Sequence, residues 1–159
     1  METYAKKQMK QMNSAISHIT ELYARWAKLK GISYGMLMVL YSINDLEICT
    51  QNDICLYWML PKQTVHSVLV NLDKNGYVKI EQSEKNKKEK NISFTEEGKI
   101  FANDILDGIC RMEERVMESM GEKTSSKFVE NFIYYCNKFE DIFIEETKKR
   151  IHHLQRILI

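Results

Sequence analysis

The sequence predicts a mainly α-helical fold with one small β-hairpin. Its 159 residues include one proline and 6 glycines, too few for a turn-rich all-β fold. Apolar residues recur every three or four positions in several long segments, which indicates helices. One segment instead alternates on both sides of a polar loop, which indicates a hairpin. With 44% hydrophobic and 28% charged residues, the chain is long and apolar enough to bury a core.

The first predicted helix ends at Gly31 and carries an apolar stripe along one side. The members of this stripe are three or four residues apart: Met9, Met12, Ile16, Ile19, Tyr23 and Trp26. Such spacing resembles the seam of a coiled coil. No neighbouring helix in the sequence matches the stripe, so we expect it to pack on a distant element or on another subunit.

Three shorter helices follow, each with a recognisable start. Ser33 is placed to cap the second helix, and Thr50 with Asp53 forms a capping box for the third. Pro61 suits the first position of the fourth helix, because its missing N–H would be unpaired there. Asn75-Gly76 is a stop signal, so this helix is predicted over Pro61–Asn75.

The period changes after Gly76. Tyr77–Gln82 and Ile92–Phe94 read as strands on either side of Ser83–Asn91, which contains no apolar residue. Thr95 then caps a long helix, although Gly108 inside it should cost about 1 kcal/mol relative to alanine. Gly121 ends that helix, and a last one runs from near Thr124 to Leu158.

The fourth helix has the amphipathic pattern of a recognition helix. Val65, Val68, Leu69 and Leu72 are predicted to face inward, and Asp73 is its one acid. Few acids suit a surface that meets DNA, which carries a dense negative charge. Polar side chains that can reach base edges or phosphates remain outside. The candidate DNA-binding residues of this helix are Lys62, Gln63, Thr64, His66, Ser67 and Asn71.

The hairpin loop is basic and directly follows that helix. Its tip, 84–91, holds four lysines and two glutamates, a local charge of +2 against +1 for the whole chain. Such a loop can lie along phosphates or enter a minor groove, although many lysine-rich loops are only solvated. The candidate DNA-binding residues of this wing are Lys85, Asn86, Lys87, Lys88 and Lys90. Helix and loop together predict a winged helix-turn-helix lobe over 33–98, flanked by helices 1–31 and 99–159.

The stretch Thr50–Gly98 resembles the multiple-antibiotic-resistance regulator (MarR) family. The motifs that carry the resemblance are Thr50-Gln51, Leu60-Pro61-Lys62-Gln63-Thr64-Val65, Leu72-Asp73-Lys74-Asn75-Gly76-Tyr77-Val78 and Ser93-Phe94-Thr95-Glu96-Glu97-Gly98. Thr50 and Gln51 match a further DNA-contacting position at the start of the third helix. The flanking long helices also fit, so the resemblance covers nearly the whole chain as one domain. The family's wing usually carries Asp-x-Arg, where this sequence has Asn86 and Lys88, so charge rather than arginine's planar fork is retained.

The resemblance implies a homodimer that binds a palindromic operator on double-stranded DNA, with its flanking helices forming the dimer. The long apolar stripes agree with a two-fold interface. We expect the regulator to repress transcription, and activation is the alternative that the sequence leaves open. Family members often respond to a small molecule, bound between the dimerisation helices and the DNA-binding lobe. Here the aromatic residues that could line such a pocket, or simply fill the core, are Trp26, Tyr34, Tyr41 and Phe101.

Other functional classes find less support in the sequence. No nucleophile–base pair, phosphate loop or paired carboxylate motif is present, so we expect no enzyme and no cofactor. The four cysteines and four histidines lack metal-ligand spacing, although Cys49 or Cys55 could sense an oxidant if its thiolate were stabilised. No signal peptide or membrane span is recognisable, which favours a cytoplasmic protein. The remaining alternative is a winged-helix protein-interaction module that does not read DNA sequence.

Overall fold

The computed structural model describes residues 3–83, 87 and 89–157, and from residue 149 onward it describes the backbone alone. The chain forms two compact units, Met1–Cys110 and Arg111–Ile159. The elements, in order, are α1 (Tyr4–Leu29), α2 (Tyr34–Leu46), α3 (Gln51–Tyr57), α4 (Lys62–Lys74), β1 (Val78–Gln82), β2 (Lys90–Phe94), α5 (Glu96–Met120) and α6 (Glu122–Ile157). The predicted fold class, mainly α with one β-hairpin, is confirmed.

Side-chain caps begin the first three helices. Thr3, Ser33 and Thr50 each accept a hydrogen bond from a backbone N–H in the first turn. At Thr50 the bond is reciprocal, because the Asp53 carboxylate accepts the N–H of Thr50. The capping box expected from the sequence is therefore present. Gly76 has the expected left-handed conformation after α4, with φ of +73°.

The hairpin is a two-stranded antiparallel sheet. Val78 pairs with Phe94, and Gln82 pairs with Lys90 at the end near the turn. A short bridge also joins Cys49 to Ile92, in which each backbone N–H donates to the other residue's carbonyl. This bridge fastens the segment before α3 to the wing, so the helix-turn-helix and the hairpin form one lobe.

The core of the first unit lies where α2 meets its neighbours. Leu37, Leu40 and Ile43 of α2 are fully or almost fully buried, together with Val65 and Leu72 of α4. The inward face of α4 expected from the sequence is thus confirmed: Val65, Val68, Leu69 and Leu72 are all buried. At the other end of the core, the Trp26 indole N–H donates to the carbonyl of Ile105, 2.9 Å away.

Several predicted boundaries are corrected by the structure. Pro61 has ψ of 135° and lies at the cap position, so α4 begins at Lys62 and ends at Lys74. Lys90 and Asn91 belong to β2, because their backbones pair with β1 and not with the loop. The first helix begins earlier than its apolar stripe, because Thr3 caps it.

The second unit contains the end of α5 and the whole of α6. Gly121, with φ of +74°, separates the two helices. Along α6, Phe128, Phe132, Tyr135 and Phe139 form a line of aromatic rings with centroids 6.0 to 6.4 Å apart. Phe128, Phe132 and Phe139 are 40 to 58% exposed, so this line remains an open apolar surface of the single chain.

Candidate nucleic-acid interface

The turn between α3 and α4 is held by side-chain hydrogen bonds. The Gln51 amide donates to the carbonyl of Lys62, the first residue of α4, at 3.2 Å. The Thr50 hydroxyl group both accepts the N–H of Asp53 and donates to its carboxylate. Of these two predicted DNA contacts, Gln51 therefore links the start of α3 to the start of α4, while Thr50 holds the first turn of α3.

The outer face of α4 presents most of the predicted DNA-binding side chains to solvent. Those exposed are Lys62, Gln63, His66, Ser67 and Asn71. Thr64 is different, because it is only partly exposed and its methyl group packs against α2. A Cβ added to Gly35 would lie 2.9 Å from that methyl carbon, so the two backbones approach closely there. Thr64 thus packs between α4 and α2 and sets the distance between the two helices.

The wing beside α4 is closed at its base by Gln82. The Gln82 amide donates to the carbonyl oxygens of Lys87 and Glu89, and the N–H of Ser83 also donates to Glu89. Lys87 and Lys90 are exposed. Lys85, Asn86 and Lys88 lie outside the described residues. The two described wing lysines are therefore accessible to a ligand.

The C-terminal end of α4 is tied to the start of α5 through Thr95. Its hydroxyl group donates to the carbonyl of Gly76 at 2.7 Å and accepts the N–H of Gly98 at 2.9 Å. Gly98 in turn lies against the backbone of Tyr77, where an added Cβ would come within 1.8 Å of the carbonyl oxygen. The position of the wing relative to α4 therefore depends on the Thr95 hydroxyl group and on the lack of a side chain at Gly98. Sequence reasoning identified Thr95 only as a helix cap.

A comparison with protein families matches residues 33–98 to the winged helix DNA-binding domain. This segment has the winged helix fold. It begins at the cap of α2 and ends at Gly98, so it includes α3, α4 and the whole hairpin. A comparison with curated proteins finds none that matches the sequence.

Solved structures extend the likeness beyond the winged helix domain. A MarR family regulator from Neisseria meningitidis, NMB1585, shares 24% identity with a TM-score of 0.77, covering 87% of this chain and 98% of its own. FabT of Streptococcus pneumoniae, solved in complex with DNA, shares 17% identity with a TM-score of 0.65, covering 87% and 99%. BpsR of Bordetella bronchiseptica, studied for regulation of its DNA binding by 6-hydroxynicotinic acid, shares 11% identity with a TM-score of 0.64, covering 89% and 98%. The chain has the MarR fold, and the resemblance indicated by its motifs is confirmed.

The winged helix domain contains a cleft between α3, α4 and the hairpin. It has a volume of about 540 Å³, and its lining includes Lys62, His66 and Lys90 as well as Asp73 and Glu89. Leu69 and Ile92 contribute apolar surface. The basic groups come from the start of α4 and from the wing. The carboxylate of Asp73 lies near the C-terminal end of α4, so the N-terminal part of the helix carries no acidic side chain.

The four aromatic residues predicted to line an effector pocket have separate structural surroundings. The indole of Trp26 bonds to α5, while Phe101 stacks on Tyr77 with ring centroids 4.3 Å apart. Tyr41 is 6% exposed and has an edge contact with Trp58, and Tyr34 is half-buried at the start of α2. None of the four lines the cleft described above. They also do not line a second cavity of about 570 Å³, between the end of α2, β2 and α5.

The cysteines of the winged helix domain differ in their accessibility. Cys49 is 3% exposed, and its thiol faces the carbonyl of Ile92. Burial, and to a lesser extent the nearby Asp53 carboxylate, raises the pKa of the Cys49 thiol to about 11. A thiol so rarely ionised at neutral pH is a poor nucleophile, so the environment opposes the thiolate that oxidant sensing needs. Cys55 is half-buried, and it lines the cleft.

The described part of the chain shows neither a metal-binding cluster nor a helix that could span a membrane. Among the described residues, no group of three His, Cys, Asp or Glu side chains is placed to hold a metal ion. Within the same part of the chain, no helix combines the length and the apolar character needed to cross a membrane.

Proposed function

We propose that this protein is a homodimeric transcriptional regulator that acts in the cytoplasm and represses genes by binding a palindromic operator. In this proposal α4 enters the major groove, and the wing contacts the backbone or the minor groove. The observation that carries it is the outer face of α4. A buried row of four apolar residues holds that face outward, and its first eleven residues, 62–72, contain no acid. The description of the winged helix domain and the DNA complex of FabT support the same proposal.

The proposal of a dimer depends on apolar surface that is exposed to solvent in the single chain. In the second unit, Phe128, Phe132 and Phe139 are accessible along one line of α6. In the first unit, Ile16 and Ile19 of α1 are 41% and 54% exposed. Burying such stripes against a second copy removes them from water, which is the ordinary driving force of a homodimer.

Salt dependence of binding tests the DNA proposal. We expect full-length protein to bind a selected palindrome with an affinity that falls steeply as salt rises, because lysines displace counterions from phosphates. Lys87→Ala combined with Lys88→Ala should weaken binding to all sequences. It should also reduce the slope of log K against log salt by about 0.9 for each phosphate that the protein no longer neutralises. A matched control is Lys123→Ala with Lys127→Ala, which removes the same charge from α6.

Base preference gives the second test. Gln63→Ala or Asn71→Ala should change which base is preferred at one position of each half-site, while leaving the salt slope near that of the parent. Equal binding to the palindrome and to scrambled DNA would overturn the proposal of sequence-specific regulation.

The second candidate function, a protein-interaction module, is favoured by one feature of the winged helix domain. Leu56, near the end of α3, is 59% exposed, and Met59, in the turn before α4, is 82% exposed; both offer apolar surface away from the cleft. Under this alternative, DNA affinity would be weak and insensitive to sequence, and Leu56→Ser would disturb partner binding instead.

We also propose that a small molecule regulates DNA binding, as the study of BpsR describes for that protein with 6-hydroxynicotinic acid. The second cavity is a candidate for this effector, because Phe94 and Ile43 provide an apolar surface beside Lys99 and Asn103. A thermal-shift screen of aromatic carboxylic acids, repeated on Asn103→Leu, tests the site. A ligand whose effect is identical in the variant binds elsewhere.

A further inference from the structure

One side of α4 forms a row that points directly away from the core. At 3.6 residues per turn, Gln63, Ser67, Val70 and Lys74 fall within a narrow arc of the helix. This arc is opposite the buried residues Val65, Val68, Leu69 and Leu72. All four members of the row are exposed. They are therefore the side chains of α4 that extend farthest toward a bound duplex.

Val70 is the unusual member of this row. Its side chain is 54% exposed, whereas the other apolar side chains of α4 are 8% exposed or less. Single exposed apolar residues are common on protein surfaces and need no explanation by themselves. Here, however, the residue stands between Ser67 and Lys74 on the face proposed to read bases. It also borders the apolar floor of the cleft beside Leu69 and Ile80.

The chemistry of the major groove narrows what Val70 can recognise. Each base pair presents hydrogen-bond donors and acceptors there, and the one apolar group on offer is the C5 methyl of thymine. A valine side chain makes no hydrogen bond, so its favourable contact in the groove is with that methyl. Because Val is β-branched, a helix restricts it almost to one rotamer, and its methyl groups are held in place before binding.

We infer that Val70 is a specificity-determining residue that selects thymine through its C5 methyl group. Val70 follows Gln63 by two helical turns, or about 10.5 Å along the helix axis. At 3.4 Å per base pair, this separation places the thymine about three base pairs from the base that Gln63 contacts, for a helix lying along the groove. The inference rests on the proposed function, since it assumes that α4 binds in the major groove.

The test uses a chemical change in the DNA that removes only the methyl group. Full-length protein first selects its preferred duplex from a random-sequence library. Each thymine of that duplex is then replaced, one at a time, by deoxyuridine. We expect one thymine in each half-site to show a loss of about fourfold in affinity, the factor that corresponds to about 0.8 kcal/mol for one buried methyl group.

The same scan is repeated with Val70→Ala and with Lys74→Ala. In Val70→Ala the sensitive thymine should lose its effect, with thymine and uracil duplexes binding within about 1.5-fold of each other. Lys74→Ala, on the same row, should weaken binding to both duplexes and keep the roughly fourfold ratio. Thermal unfolding of both variants checks that the domain remains folded.

The outcomes separate this inference from the proposed function. If a sequence is selected but no thymine responds to uracil, or if the response persists in Val70→Ala, the role of Val70 is wrong while the regulator proposal stands. If Val70→Ala changes only stability, Val70 serves the cleft and the inference also fails. If no sequence is selected at all, the proposed function fails, and the inference fails with it.

Discussion

The Thr95 hydroxyl group offers a direct test of how the wing is held. It bridges the carbonyl of Gly76, after α4, and the N–H of Gly98, in the first turn of α5. Thr95→Val removes both hydrogen bonds and keeps the shape of the side chain. Gly98 is buried, so its N–H would lose its cap without an easy replacement by water.

The expected cost follows from these two bonds. Loss of an N-cap costs about 1 kcal/mol, and loss of the second hydrogen bond costs about 1 kcal/mol more. We therefore expect Thr95→Val to lower the free energy of unfolding by about 2 kcal/mol. Thr95→Ser keeps the hydroxyl group and removes one methyl group, so its cost should stay below about 1 kcal/mol.

Urea unfolding measures both variants. Trp26 and Trp58 both lie in the first unit, so tryptophan fluorescence follows the unfolding of that unit. The protein concentration is kept constant, because the stability of the proposed dimer would depend on it. A cost below about 0.5 kcal/mol for Thr95→Val, or equal costs for Thr95→Ser and Thr95→Val, would show that the hydroxyl group does not hold the two segments together.

Three further predictions concern the same unit. Gly108→Ala should gain about 1 kcal/mol of stability from helix propensity but lose about 2 kcal/mol through the steric clash of its Cβ, which would lie 2.5 Å from the Trp26 ring. In a Trp26→Ala background the clash is absent, so urea unfolding should show the same change to be stabilising. Because Cys49 has a pKa of about 11 when folded, against an ordinary value of 9.0, the unfolded chain loses this proton first, so stability should fall by about 2 kcal/mol as pH rises from 9 to 11. Cys49→Ala should abolish that component, and in native protein at pH 8 an alkylating reagent should label the exposed Cys136 before Cys49. Thr50→Ala should cost about 1 kcal/mol by removing the capping box, with Thr50→Ser close to the parent; equal losses in the two variants would exclude the hydroxyl group as the cause.

Local signals in the sequence predicted most of the helices and strands. The caps at Ser33 and Thr50, and the stop at Gly76, depend on residues at most a few positions away, so the sequence states them directly. The inward face of α4 follows from its period, because Val65, Val68, Leu69 and Leu72 share one side of the helix. The same period also predicts that Gln63, Ser67 and Asn71 face outward.

Pairings between distant residues could not be predicted in the same way. Nothing in the local pattern pairs Thr95 with Gly76, places Trp26 over Gly108, or joins Cys49 to Ile92. These pairings depend on how the helices pack after they form. They explain why Gly108 lies inside a helix despite its low propensity. They also explain why Trp26, Tyr41 and Phe101, predicted as pocket residues, have three separate sets of partners.

The packing of Trp26 on α5 has a consequence for choosing where to truncate the chain. The winged helix domain matched by its family model covers residues 33–98, but Ala27 is completely buried and Lys30 pairs with Asp104 outside those limits. A fragment cut at 33 and 98 would expose the α2 surface that the end of α1 covers, and it would also remove Ala102, Ile105 and Ile109 from the core. The smallest piece that keeps this core intact therefore begins before Tyr23 and continues through Cys110.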